Sequence, residues 1–214
     1  MLHQTPITDL AMLAALLAER ATSGRLIVAI AGAPGSGKST TADKLAARLN
    51  RGQPGLAAVL PMDGYHYDDH YLGAAGLQSR KGAPNTFDVG GLFHTLQRLR
   101  ARDEPSVAVP VFDRKIEIAR AGARLIAAEV PVIIVEGNYL LLQQDPWARL
   151  APMFDITVMI GVPESVLRTR LAHRWEKYGL TPAEITAKLE ENDLPNGRLV
   201  RSASAPADYR IAMP

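Results

Sequence analysis

The chain has 214 residues, 47% hydrophobic and 21% charged, with a formal net charge of +2. That composition suits one domain with a substantial core, and the mixed acids and bases leave no basic stripe for nucleic acid or a membrane surface. Cysteine is absent, which excludes disulfides, thiolate catalysis and thiolate metal sites and fits a reducing compartment.

No apolar run approaches the roughly 20 residues that span a bilayer. Residues 10–18 are apolar but are flanked by Asp9 and Glu19 and lack a basic leader, so they do not read as a signal peptide. Leu10, Leu13, Ala14 and Leu17 share one face, with Thr8 or Asp9 as cap, which predicts a docking helix. The expected location is the cytoplasm. Residues 26–30, Leu-Ile-Val-Ala-Ile, read as a buried strand. Gly32-Ala33-Pro34-Gly35-Ser36-Gly37-Lys38-Ser39-Thr40 follows, and residues 40–49 continue as a helix that Asn50-Arg51-Gly52 stops.

A glycine-rich turn between a strand and a helix start is built for phosphate. Successive backbone N–H groups converge on the oxygens, and the helix N-terminus adds partial positive charge. In this G-x-x-x-x-G-K-S pattern Lys38 reaches the β- and γ-phosphates and the Ser39 hydroxyl sits on Mg²⁺. The expected ligand is a nucleoside triphosphate.

Further along, residues 56–60 predict a short strand ending at Pro61-Met62-Asp63-Gly64-Tyr65-His66. Residues 67–85 are polar and aromatic, carry Arg80-Lys81, and show no sustained period, as in a long functional loop. Asp88 caps a helix over 89–101 with Leu92, Leu96 and Leu99 inside. Residues 107–109 form a strand between Pro105 and Pro110. Residues 114–129 stay undecided, because Ile116 and Ile118 alternate like a strand while the alanines prefer helix. Residues 132–135 and 156–160 are buried strands. Helices follow over 164–177 and over 183–192, with Thr181 as cap and Pro182 at the first position. A last short strand covers 209–212.

Apolar strands alternating with helices predict a three-layer α/β fold, a mainly parallel sheet covered by helices on both faces. Ligands then bind at the carboxyl ends of the strands. Those ends read Gly32 to Ser39, Asp63, Phe112-Asp113-Arg114, Glu136 and Gly161. Glu136 is placed to hold Mg²⁺ together with Ser39, and Asp63 to accept a proton from an attacking hydroxyl. Arg168, Arg170 and Arg174 bring positive charge on one helix, with Arg170 and Arg174 four apart as a lid over the phosphates. His66, His70 and His94 lack metal-ligand spacing, and His66 reads as a substrate contact.

These residues resemble the P-loop kinases that include phosphoribulokinase, uridine kinase and the bacterial-type pantothenate kinase, from Leu26 to the C-terminus. Met62-Asp63-Gly64-Tyr65-His66-Tyr67 and Arg80-Lys81-Gly82-Ala83-Pro84-Asn85-Thr86-Phe87-Asp88 are similar to pantothenate kinase segments. Val109-Pro110-Val111-Phe112-Asp113 resembles the family's strand end before its acceptor loop. Glu136-Gly137 is similar to its metal-side glutamate, Arg168 to Arg174 to its arginine lid, and Leu194-Pro195-Asn196 to a late pantothenate kinase stretch. After Phe112-Asp113 this chain has Arg114-Lys115-Ile116-Glu117, where those kinases place a histidine. The small bacterial members labelled fructose-transport-system or sugar kinases resemble it most.

The resemblance implies a P-loop fold with a helical arginine lid, and transfer of the ATP γ-phosphoryl group to a small-molecule alcohol such as a sugar, nucleoside or pantothenate-like compound. It implies ATP and Mg²⁺ as cofactors and Asp63 as base with Lys38 and Arg174 beside it. Acceptor contacts fall to Tyr65, His66, Arg80, Lys81, Phe112 and Asn196. The layout expected is one domain over 1–214, with a docking helix in 1–22, an acceptor loop in 64–88 and a lid in 164–180. No nucleic acid or membrane partner is expected, and a homodimer is admitted rather than required. The competing reading is a nucleotide-dependent ATPase or GTPase switch acting through a protein partner. No N/T-K-x-D segment supports it, and Asp88-Val89-Gly90-Gly91 follows no apolar strand.

Overall fold

The computed structural model describes residues 5–212; residues 1–4 of the expected docking segment, and 213–214, lie outside the described residues. Asp9 caps the first helix, α1 (Leu10–Arg20), its carboxylate accepting the Ala11 and Met12 backbone N–H groups at 2.7 and 2.8 Å. Those donors have no helical carbonyl to reach. The chain continues through β1 (Leu26–Gly32), α2 (Lys38–Gly52), β2 (Ala57–Pro61), α3 (Asp69–Ala74) and α4 (Val89–Ala101). A hairpin of β3 (Ser106–Asp113) and β4 (Ile118–Ala127) follows, then β5 (Val132–Gly137) and β6 (Ile156–Gly161). Three helices, α5 (Glu164–Lys177), α6 (Pro182–Lys188) and α7 (Leu194–Ala203), precede β7 (Tyr209–Ala212).

Five strands form one wholly parallel sheet in the order β2-β5-β1-β6-β7. Alternation along β1 divides the interior. Ile27, Ala29 and Ala31 face a core that Leu92, Leu96 and Leu99 of α4 complete. Val28 and Ile30 face a second core, closed by Leu13 and Leu17 of α1 and Leu45 and Leu49 of α2. Each fully buried leucine contributes about 1.5–3 kcal/mol, so a strand apolar on both faces is stable only between two helical layers. The result is the three-layer α/β architecture, with the phosphate-binding turn at the carboxyl edge of its central strand.

The hairpin departs from the sequence expectation. The end Phe112-Asp113-Arg114 was expected at the edge of the parallel sheet, yet β3 pairs only with β4, antiparallel, in a separate two-stranded sheet. The physical reason lies in its burial: Val107 and Val109 point inward while Ala108 is exposed, so β3 has one buried face rather than two. The undecided stretch 114–129 resolves into a turn at 114–117 and the mostly exposed strand β4, whose outward alanines carry little packing information. Gly64 fixes where the hairpin docks. A Cβ there would lie 2.4 Å from the Pro110 carbonyl oxygen, so no other residue permits that approach.

Two other segments differ. The expected loop over 67–85 contains α3 and two short 3₁₀ turns, at Gln78–Arg80 and Pro84–Thr86. The helix expected over 183–192 is α6, which passes through a π-helical turn (Leu189–Asp193) directly into α7, a helix not read from the sequence. Thr181 and Glu184 form the capping box that starts it.

Candidate active site

The phosphate-binding turn takes its shape from glycine. Gly35 and Gly37 have φ of +78° and +89°, conformations that other residues adopt only at a cost. Gly37 caps α2, so the helix begins at Lys38 with its first backbone N–H groups directed at the turn. Ser36 is buried, and its hydroxyl oxygen has no hydrogen-bond partner among the described residues.

Register brings the acids to this turn. Glu136 on β5 pairs with Ile30 of β1 on one side and Pro61 of β2 on the other. Asp63 follows β2 in a 3₁₀ turn, Met62–Tyr65. Ser39, Asp63 and Glu136 share a recess of about 160 Å³. Burial pushes the Glu136 carboxyl up to about 7, even though Lys38 and a hydrogen bond from Ser39 draw it down. Asp63 moves the other way: burial would raise it, but His66, Arg114 and Lys38 outweigh that and hold it below the usual carboxylate range. A buried carboxylate is costly unless paired or bound to metal. Glu136 and the Ser39 hydroxyl offer only oxygen ligands and leave most of a coordination shell to phosphate and water, which fits a hard cation such as Mg²⁺. Among the described residues no group of three or more His, Asp or Glu forms a metal cage.

Lys38, buried, has its pKa lowered chiefly by that burial, while Glu136 and Asp63 pull it back up. In front of it opens a cleft of about 270 Å³. His66 Nδ1 donates to the Asp63 carbonyl oxygen at 2.7 Å, and its ring packs 4.0 Å from Phe87 and 4.7 Å from Phe112. Arg114 Nη2 donates to Asp63 Oδ2 at 2.5 Å. Lys81 Nζ, across the cleft, contacts Asp69 at 2.6 Å and donates to the Glu117 carbonyl at 2.7 Å. From α5, Arg174 enters the cleft, and Trp175 Nε1 donates to Asp193 Oδ2 at 2.6 Å. Burial lowers the pKa of Arg174, and the Arg114 charge lowers it further.

Comparison with known proteins gives the family. No family model matches the chain. YggC, an uncharacterised protein of Escherichia coli, is 36% identical over 191 residues, which cover 88% of this chain and 78% of that one. A Schizosaccharomyces pombe protein described as a candidate uridine kinase is 34% identical over 180 residues, covering 80% of this chain and 76% of that one. The solved structure of a candidate fructose transport system kinase from Silicibacter sp. TM1040 is 41% identical with a TM-score of 0.86, covering 97% of this chain and 100% of that one. The chain belongs to the phosphoribulokinase and uridine kinase family of P-loop kinases. It is an ATP-dependent kinase with an alcohol as phosphoryl acceptor, and no helix among the described residues is long and apolar enough to cross a membrane.

In this kinase the residues singled out from the sequence fall into three groups. Pro34, Gly35, Gly37, Lys38, Ser39, Thr40, Asp63, His66, Lys81, Phe112 and Arg174 all line the cleft. Gly32 ends β1, and Ala33 lines a second, larger cavity of about 600 Å³ beyond the turn. Ser36 is buried in the turn and Glu136 lines the adjoining recess. The last four, Tyr65, Arg80, Arg170 and Asn196, lie away from the cleft wall. Tyr65 is buried in the core, where burial pushes its hydroxyl up to about 12. Arg80 donates to the Glu191 carbonyl on the outside, and Arg170, one turn before Arg174 on α5, is half-buried and does not line the cleft. Asn196 is buried and donates to Asn192 Oδ1 at 3.1 Å. Asn192 is the residue that lines the cleft, and it donates to the Lys81 carbonyl at 2.9 Å.

Sequence reasoning missed Arg114, Glu117, Trp175, Tyr178, Lys188, Asn192 and Asp193, all of which line the cleft. For Trp175 and Tyr178 a signal existed, since Trp175 follows Arg174 on α5 and Tyr178 caps the end of that helix. Asn192 and Asp193 had none, because the π turn that aims them inward leaves no mark in hydrophobic period.

Proposed function

We propose that the kinase moves the γ-phosphoryl group of ATP to a hydroxyl of a small polar molecule, a sugar, nucleoside or pantothenate-like alcohol, with Asp63 as general base. The observation that carries this reading is the place of Asp63: an ionised carboxylate on the wall of a cleft floored by Lys38 and Ser39, with room beyond it for an alcohol. Lys38 and the backbone of the turn hold the phosphates. Ser39 and Glu136 would hold Mg²⁺, which when bound would offset charge as it builds on the leaving ADP. Asp63 takes the hydroxyl proton as the acceptor oxygen attacks. The adenosine end fits the 600 Å³ cavity on the other side of the turn, where Val162, Leu167 and Val200 supply apolar walls and Arg201 and Arg210 polar edges. An acceptor-library screen read by ADP release, followed by mass analysis of the product, tests the reading; ADP release independent of every acceptor would reject it.

The lid arginine gives a separate expectation. Arg174→Ala slows transfer by about 10²-fold, the worth of a charge aimed at the transferring group, and leaves the melting temperature nearly unchanged because the side chain is only half-buried. Lysine rescues poorly, since it lacks the planar fork. Full activity in the alanine variant would return α5 to a structural role.

Lys81 and Arg80 divide, although adjacent. Lys81→Ala raises the acceptor KM by about tenfold, the loss of one charge-assisted bond, with the KM for ATP unchanged. Arg80→Ala moves neither, because its guanidinium is spent on the Glu191 carbonyl outside the cleft. An equal rise in both KM values for Lys81→Ala would assign it to the nucleotide.

A further inference from the structure

Asp63 holds a cation that the phosphate site does not use. Arg114 stands in the turn at the tip of the β3–β4 hairpin, its side chain 49% exposed against 17% for Asp63. A guanidinium has five N–H donors, and the bond to Asp63 Oδ2 is its one hydrogen bond among the described residues. Its Cζ lies 5.9 Å from the Phe112 ring centroid, and Lys81 Nζ lies 5.3 Å from the same centroid. Two cations therefore converge on one ring at the acceptor end of the cleft. Lys81 is already paired with Asp69 and the Glu117 carbonyl, which leaves one of its three N–H donors for the acceptor. The one hydrogen-bond partner of Arg114 among the described residues is the carboxylate that the reaction needs free.

A carboxylate oxygen engaged by a guanidinium is a poor proton acceptor. A neutral alcohol offers Arg114 nothing in exchange for a charge-assisted bond, whereas a carboxylate or phosphate offers a bidentate one. Building on the assignment of Asp63 as base, we propose that Arg114 is the receptor for an anionic group on the acceptor, and that this anion releases Asp63 by drawing Arg114 away. The acceptor is a hydroxyl compound bearing a carboxylate or phosphate. Its anion accepts two N–H bonds from Arg114, and Asp63 Oδ2, now vacant, accepts the hydroxyl proton. The acceptor oxygen forms its bond to the γ-phosphorus as the bond to the β–γ bridging oxygen breaks, and that electron pair leaves with ADP. With no acceptor, Arg114 stays on Asp63, so water entering the cleft is not activated and ATP is not wasted.

The test measures ADP release from the full chain with Mg-ATP in the presence of glycerate or glycerol, ribose 5-phosphate or ribose, or no acceptor. In at least one pair the charged member is used at least about tenfold better than the neutral one, the worth of one charge-assisted bond. Arg114→Ala brings that preference to within about twofold and raises acceptor-free hydrolysis several-fold, while Arg114→Lys keeps part of the preference. Neutral members used as well as charged ones, or a preference that survives in Arg114→Ala, overturns the proposal. Should neither pair stimulate the wild type, the acceptor-free rate decides: a rise in Arg114→Ala supports the release of Asp63, and an unchanged rate rejects it. Asp63→Asn, run beside these, separates the two assignments. If it keeps wild-type ADP release the base is wrong; if it is inactive while neutral alcohols are preferred, only the anion receptor is wrong. A thermal melt of Arg114→Ala matching the wild type rules out unfolding as the cause.

Discussion

Asp63→Asn is expected to lower kcat by about 10²–10⁴-fold, the usual worth of a general base, with Mg-ATP affinity preserved. Asparagine copies the shape of the side chain but cannot take a proton, so the substitution isolates the chemical role from packing. In the proposed site the nucleotide is held elsewhere, by Lys38, the turn backbone, Ser39 and Glu136. Calorimetry of Mg-ATP binding together with acceptor-dependent ADP release checks both halves. Lost binding alongside lost turnover would move Asp63 to the metal side, and intact turnover would remove it from the chemistry. The bond given up joins Asp63, 17% exposed, to the half-exposed Arg114, and a thermal melt of the variant checks that the fold is kept.

Lys38→Ala is expected to reduce kcat by about 10²–10³-fold, the range seen when one preorganised donor at developing charge is removed. Affinity for ATP should fall much less. The ammonium group is buried beside Glu136 and Asp63, in surroundings where charge interactions are weakly screened. Negative charge grows on the β–γ bridging oxygen as the γ-phosphoryl departs, so the interaction is stronger in the transition state than with bound ATP. Near-normal turnover in this variant would contradict the reading of the glycine-rich turn. Equal losses in affinity and kcat/KM, with kcat untouched, would make Lys38 a ground-state anchor instead.

The sequence made the phosphate half of the site legible because each part there is tied to a local rule. A β-branched run gives the strand, glycines give the turn, and a strand ending in Glu136 gives the acid, all within a few residues. The acceptor half is assembled from segments far apart in the chain, and its residues were read with mixed success. His66, Lys81 and Phe112 reach the cleft, but Tyr65, one position from His66, turns into the core. In an irregular 3₁₀ turn no simple period says which neighbour faces the ligand. Asn196 missed by one helical turn, since the cleft residue is Asn192. Arg114 stood two positions after Phe112 and was read as part of a strand end and as a difference from related kinases, with no role of its own. Its contact with Asp63 spans 51 positions and depends on a hairpin whose second strand is mostly exposed and carries no clear pattern.

That hairpin has an evolutionary corollary. Phe112 and Arg114 ride on a two-stranded sheet of their own, seated on the main body where Gly64 meets the Pro110 carbonyl and where Arg124 donates to the Val59 carbonyl. The parallel strands β5, which carries Glu136, and β1, which leads into the turn before Lys38 and Ser39, share no ladder with it. Substitutions at the hairpin tip can thus accumulate in a lineage while the strands and turn of the phosphate site keep their geometry. New substrate preferences are reached by exchanging a handful of outward residues, so relatives that share the phosphate machinery can diverge in the compound they phosphorylate.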